Sequence, residues 1–114
     1  MIIEILICTI DGGLADVAKM LMPQRADVRY LVSWQQTTAQ PMNVPELLLR
    51  DDVRVLVLEG KGLSRNRNNA LKHAQGDVCL IADDDLVYFP ESIVKVIETF
   101  SADTTLDFAT FRYV

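Results

Sequence analysis

Short apolar runs alternate along the chain with segments whose apolar residues recur every three or four positions, the pattern of strands linked by amphipathic helices. Residues 2–9 are almost wholly apolar and predict a buried first strand. Leu14, Val17, Ala18 and Leu21 follow at helical spacing until Pro23 stops the helix, and Asp11 with two glycines makes the turn between them. Val28, Tyr30 and Val32 mark a second strand ending at Ser33 and Trp34, after which the polar run 35–43 predicts a loop. Asn43-Val44-Pro45-Glu46 reads as the start of a short helix to Arg50, with Asn43 as cap and the proline in the first turn. Residues 53–58 predict a third strand, Gly60-Lys61-Gly62 a tight turn, and Leu63, Arg67, Ala70, Leu71 and Ala74 a helix stopped by Gly76. A fourth strand over 77–82 runs into three aspartates, Pro90 opens a helix with Ile93, Val94, Val96, Ile97 and Phe100 on its apolar stripe, and residues 106–111 read as a last strand.

This βαβ rhythm predicts an α/β fold: an open, mainly parallel sheet with helices on both faces, in one domain over residues 1–114. Such sheets bind ligands beyond the carboxyl ends of their strands. The unusual residues gather at that edge: Thr9 and Asp11 after strand one, Ser33 and Trp34 at the end of strand two, Gly62 and Arg65 past strand three, and Asp83, Asp84 and Asp85 after strand four.

Composition narrows the choice of partner. Half of the 114 residues are hydrophobic, enough for a core. The net charge of -5 argues against nucleic acid, which clustered Lys and Arg would have to bind, and Lys61, Arg65 and Arg67 are too few for such a patch. No apolar run approaches the roughly 20 residues needed to span a bilayer, so no transmembrane segment is expected, and the apolar amino end lacks the basic leader of a signal peptide. Cys8 and Cys79 sit in strand-like segments without a CxxC pair, which predicts reduced core thiols in a cytoplasmic protein. If their strands are neighbours, the two sulfurs could come close. Attachment to the inner membrane face would need regions outside this chain, and an exposed sheet edge is the expected place for self-association.

Three adjacent carboxylates resist burial because like charges raise one another's pKa, so a cation is expected beside them. In extended chain, positions two apart share a face, which would make Asp83 and Asp85 two hard-oxygen ligands for Mg²⁺ or Mn²⁺, with water and a substrate diphosphate completing the shell. The competing reading is a solvated acidic turn ahead of the helix at Pro90. Gly60 to Asn66 opens a helix whose free N–H groups favour an anion, with Arg65 as a planar fork for phosphate oxygens; the spacing is not that of a P-loop. Ser33-Trp34-Gln35 could offer a stacking ring and hydrogen bonds to a base, although a lone Trp is more often core. His73, near the end of that helix, reads as a surface or capping residue.

Taken together, Gly62-Leu63-Ser64-Arg65-Asn66, Ala70-Leu71, Ala74, Gly76-Asp77 and Leu80-Ile81-Ala82-Asp83-Asp84-Asp85 resemble the family 2 glycosyltransferases: a glycine, an Arg-Asn pair opening a helix, a glycine stop, and a strand ending in a D-x-D motif. Cys8-Thr9-Ile10-Asp11 is similar to that family's first turn. The resemblance implies a GT-A fold, the Rossmann-like nucleotide-diphospho-sugar transferase half, binding a UDP- or GDP-sugar through Mn²⁺ or Mg²⁺. It implies Asp85 as direct metal ligand, Asp83 at the ribose or the metal waters, Asp84 near the donor sugar, Arg65 near the diphosphate, and Thr9 and Asp11 near the base. The chain departs from the family where Ser33-Trp34-Gln35-Gln36 replaces an Asp-Asp-Gly-Ser run, and in ending at Val114 without the acceptor-binding half and its catalytic base.

A full inverting enzyme of this kind displaces the diphosphate directly with an acceptor hydroxyl. No residue here reads as the catalytic base, so the expectation is donor binding with little or no transfer by this chain alone. The alternative is a non-catalytic nucleotide-sugar-binding or interaction module that keeps the fold. A phosphoacceptor domain would need an Asp after strand three, where Leu58-Glu59-Gly60 stands instead.

Overall fold

The computed structural model describes residues 1–37, 43–58, 62–86, 88–107 and 109. Among these, four strands form one wholly parallel sheet in the order β3-β2-β1-β4, with β1 Ile3–Ile10, β2 Val28–Gln35, β3 Val53–Leu58 and β4 Val78–Asp83. The helices are α1 Leu14–Met20, α2 Leu63–His73 and α3 Pro90–Ala102. The α/β reading of an open parallel sheet therefore holds.

Alternation along the strands produces two cores. Ile3, Ile5 and Ile7 of β1, the even-numbered residues 28–34 of β2 and Val78 and Ala82 of β4 share one face, where they pack with Leu14 and Val17 of α1 and Ile93 and Val96 of α3. Leu6, Cys8 and Leu31 lie on the opposite face under Ala70 of α2. Right-handed crossovers running in opposite directions along a sheet put their helices on opposite faces, and α1, linking β1 to its neighbour β2, and α2, carrying the chain back from β3 to β4, do lie that way. The strand order reverses beside β1, so the β1/β4 boundary is the switch point at which such sheets form a crevice.

Several local expectations change. The first strand runs one residue later at each end, and α1 stops at Met20 because Leu21 turns extended (φ -65°, ψ 123°) ahead of Pro23. Residue 22 is then tied back, its N–H donating to the Tyr30 hydroxyl. Gln35 belongs to β2 rather than to the loop: it pairs with Ile10 and Leu58 and is buried. The expected helix near residue 46 is one turn of 3-10 helix, Glu46–Leu49, with Pro45 at its cap position and no capping by Asn43; it seats Leu48 in the first core. Asp77 precedes β4, and its carboxylate accepts from the Ile2 N–H at 2.6 Å. Leu106, Asp107 and Ala109 carry no strand, and the other residues of the expected last strand lie outside the described ones, as do Gly60 and Lys61 of the expected turn.

Cys8 and Cys79 do occupy neighbouring strands, yet Cys8 pairs with Asp83 whereas Cys79 pairs with Glu4. That offset of four positions separates them by roughly 13 Å along the sheet, too far for a disulfide, and both thiols are free. Burial pushes each thiol pKa up; at Cys8 Arg67 pulls it back and Asp83 raises it, and at Cys79 Glu4 adds to the rise. The folded chain thus keeps these protons where the unfolded chain would release them, so stability falls as pH climbs through the ordinary thiol range. Both cysteines are expected to alkylate slowly at pH 7 in the folded protein and rapidly in denaturant, as mass spectrometry of iodoacetamide-treated samples would read; fast labelling of the folded chain contradicts their packing.

Candidate functional site

At the carboxyl end of β1 and β4 lies a cleft of about 460 Å³ lined by Cys8, Thr9, Gln35, Gly62, Asn66 and the three aspartates, together with Ile10 and Leu63. Two distant stretches of chain meet there because β1 and β4 are hydrogen-bonded neighbours whose ladder ends at the Cys8 and Asp83 pair. The α2 amino terminus forms the opposite wall. Gly62 adopts φ +121° and ψ 136°, backbone that an L side chain rarely enters, and among the described residues no side chain caps the helix. Its start lies at the cleft wall, and the first-turn N–H groups of a helix are free to donate to an anion.

The three aspartates do not behave as one group. Asp83 closes β4, and Arg67 of α2 approaches its carboxylate at 3.4 Å. Asp84 and Asp85 form a turn, so the alternation expected over 83–85 stops at Asp84. Asp84 accepts a hydrogen bond from the Thr9 hydroxyl at 2.8 Å. Asp85 is exposed and lines both this cleft and a second one of about 340 Å³, bounded by Asp16, Lys19 and Met20 of α1 with Asp84 and Leu86. All three carboxylates nevertheless share the rim of the first cleft.

Other expected residues fall differently. Ser33 is fully buried beneath α2, where its hydroxyl accepts from Asn69 Nδ2 at 2.8 Å, and it does not line the cleft. Trp34 is a core residue of the opposite face, its indole N–H donating to the Asp11 carbonyl at 2.9 Å, so its ring is not offered for stacking. Asp11 sits in left-handed backbone (φ 47°), a conformation Asp tolerates, and its carboxylate accepts from both the N–H and the hydroxyl of Thr37. This ties the turn after β1 to the segment after β2. Arg65 is exposed on α2, one residue from the cleft wall at Asn66. His73 is exposed in the last turn of α2, with Nδ1 2.9 Å from the Asn69 carbonyl.

Three contributors were not read as site residues from sequence. In the sequence Arg67 reads only as a helix-stripe position and one of a few scattered basic residues, but it stands one turn from Leu63 on the side of α2 that meets Asp83. Asn66 is buried in the cleft wall, donates to the Thr9 carbonyl at 3.1 Å, and has a side-chain oxygen without a partner among the described residues. Gly13 approaches so closely that a Cβ there would lie 2.3 Å from Thr9 Oγ1 and 2.5 Å from Asp84 Oδ2. The two glycines after Asp11 could have signalled such an approach, but nothing local signals what they approach.

A set of three His, Cys, Asp or Glu side chains able to hold an ion alone is not found among the described residues. Asp83 and Asp85 are exposed hard-oxygen donors on a common cleft. That donor chemistry fits a Mg²⁺- or Mn²⁺-type ion which takes one or two protein carboxylates and keeps the rest of its shell for water and phosphate. Among the described residues, no helix is long and apolar enough to cross a membrane.

Comparison with curated proteins and with solved structures finds no match. The family model of Glycosyl transferase family 2 matches residues 43–114, a span that holds β3, α2, β4 with its acidic triplet, and α3, while Thr9, Asp11 and Ser33 fall outside it. Because that span is well over half of the sequence and brings its acidic motif to the switch point of a parallel sheet, the chain belongs to glycosyl transferase family 2, whose members take nucleotide-sugar donors.

Proposed function

We propose that this domain binds a nucleoside-diphosphate sugar, of the UDP or GDP type, in the cleft between β1, β4 and α2, where Asp83 and Asp85 would hold a divalent ion that offsets the charge of the diphosphate. The reaction it serves is inverting transfer of the sugar to an acceptor hydroxyl. The observation that carries this reading is that the acidic triplet and the uncapped start of α2 face each other across one cleft at the sheet's carboxyl edge. Anionic and cationic elements so disposed suit a ligand that brings both phosphate oxygens and a cation.

The chain's own groups have distinct tasks in this scheme. The N–H groups opening α2 receive phosphate oxygens, and Arg65, exposed one residue from the wall, reaches over the rim to the same group. Arg67 balances Asp83 until the ligand arrives. A bound divalent ion would supply neutralisation of the leaving diphosphate, stabilisation whose loss typically raises a barrier by a few kcal/mol.

Titration of UDP- and GDP-sugars with and without Mn²⁺, followed by thermal shift and calorimetry, tests the reading in wild type and in Asp85→Ala. Saturating donor at about one hundred times its Kd adds roughly 2.7 kcal/mol of stability to the protein that binds it. Mn²⁺-dependent stabilisation in wild type, lost in Asp85→Ala, is the expected result. Equal, metal-independent behaviour of the two proteins would overturn it.

A further inference from the structure

We infer that Thr9 and Asp84 form a positioning latch that fixes the acidic turn on the sheet, leaving its flanking carboxylates, Asp83 and Asp85, to meet the ligand. The inference rests on the cleft being the donor site proposed above, and it assigns to Thr9 and Asp84 a task other than contact with donor.

The backbone ladder between β1 and β4 ends at Cys8 and Asp83. Thr9 and Asp84 are the next residues on each side, and their side-chain bond of 2.8 Å supplies one more link where backbone pairing has stopped. Thr9 is buried, and Gly13 packs its backbone so tightly over both partners that a single added carbon would overlap both oxygens. The carbonyl of Thr9 is also engaged, accepting from Asn66 in the first turn and a half of α2. One residue thus ties together the end of β1, the turn carrying the carboxylates, and the wall that presents the helix amino terminus.

The direction of each carboxylate follows from these ties. Asp83 is drawn toward α2 by Arg67, while Asp84 is held at the α1 side by Thr9 beneath Gly13. Asp85, next after a fixed residue, is left at the rim of both clefts. A turn starting from an unfixed Asp84 would let Asp85 swing relative to Asp83, and an ion held by both, as proposed above, would need them within one coordination shell. Asp84 therefore acts through its neighbours.

The test measures affinity for UDP and for GDP in the presence of Mn²⁺, with Mn²⁺ electron paramagnetic resonance as a direct readout of bound metal and a melting curve for each variant. Thr9→Val, which keeps the shape but not the donor, is expected to weaken metal-dependent nucleotide binding about tenfold or more, the effect of one lost hydrogen bond to a carboxylate. Thr9→Ser is expected to restore it. Asp84→Asn, whose side-chain carbonyl still accepts from Thr9, is expected to bind well, Asp84→Ala to match Thr9→Val, and the Thr9→Val/Asp84→Ala double variant to be no worse than either single change. Loss of binding in Asp84→Asn as complete as in Asp85→Asn, with Thr9→Val unchanged, would make Asp84 a ligand and overturn the latch. Failure of wild type to bind either nucleotide with Mn²⁺ would instead overturn the donor site, and the latch with it.

Discussion

Trp34→Ala is expected to destabilise the domain by about 3–5 kcal/mol, a large part of the roughly 5–15 kcal/mol that holds a domain folded. Trp34 is 2% exposed in the interior of β2, pairs across the sheet with Thr9 and Val57, and packs in the core shared by α1 and α3. Truncation removes an indole from between elements that cannot close the gap, because the neighbouring strands are fixed by their ladders. It also removes the donor to the Asp11 carbonyl, which helps to hold Asp11 in left-handed backbone. Trp34→Phe separates the two effects: it keeps most of the volume and should lose only about 0.5–1.5 kcal/mol, the net value of one hydrogen bond. Urea melts of the three proteins supply the comparison, and a loss below about 1 kcal/mol for Trp34→Ala would mean that the ring does not fill the core.

Glu4→Ala comes second, with an expected loss of about 3 kcal/mol. Glu4 is an acidic residue in the central strand, 1% exposed, on the face that α2 covers. One carboxylate oxygen accepts the N–H groups of Gln75 at 2.6 Å and Gly76 at 3.2 Å, and the other receives Arg54 at 3.3 Å. Arg54 also donates to the His73 carbonyl, so the cluster terminates α2 and aims the chain into β4. Alanine leaves two enclosed N–H groups without acceptors, each worth about 1–3 kcal/mol, and this outweighs the lost ion pair because Arg54 can turn to water. Gly76 explains why the loop cannot shift to compensate, since even a Cβ there would lie 2.6 Å from the Glu4 Cβ. Thermal melts in low and high salt separate the contributions: a loss that persists in 1 M salt is the hydrogen-bonded part, and a loss abolished by salt would reduce Glu4 to an ordinary ion pair.

Hydrophobic periodicity made most of the fold legible. The strands expected at 53–58 and 77–82 and the helices starting at 63 and 90 coincide with the structure within a residue or so, because a strand that joins a packed sheet is rich in β-branched and apolar residues and a helix over one face must be striped. Polarity misled at Gln35, which reads as loop but is buried between paired strands, and nothing local marks the task of Glu4, whose partners lie 50 and 71 residues away. Propensity misled near residue 46, where the connection has room only for a single 3-10 turn seating Leu48.

For the site, the sequence by itself determined the chemistry available: three carboxylates ending an apolar strand, and a glycine opening a helix with an Arg-Asn pair. Those features are local, and strand order rules send them to one edge of the sheet. Only the tertiary structure decided how they are shared out. Arg67 goes to Asp83, Thr9 to Asp84, Ser33 and Trp34 to opposite faces under packed side chains, and Asp85 to the open rim. Each of these choices depends on a neighbour brought in by the β1/β4 and β1/β2 pairings, and contacts across such sequence distances leave no periodic trace in the chain itself.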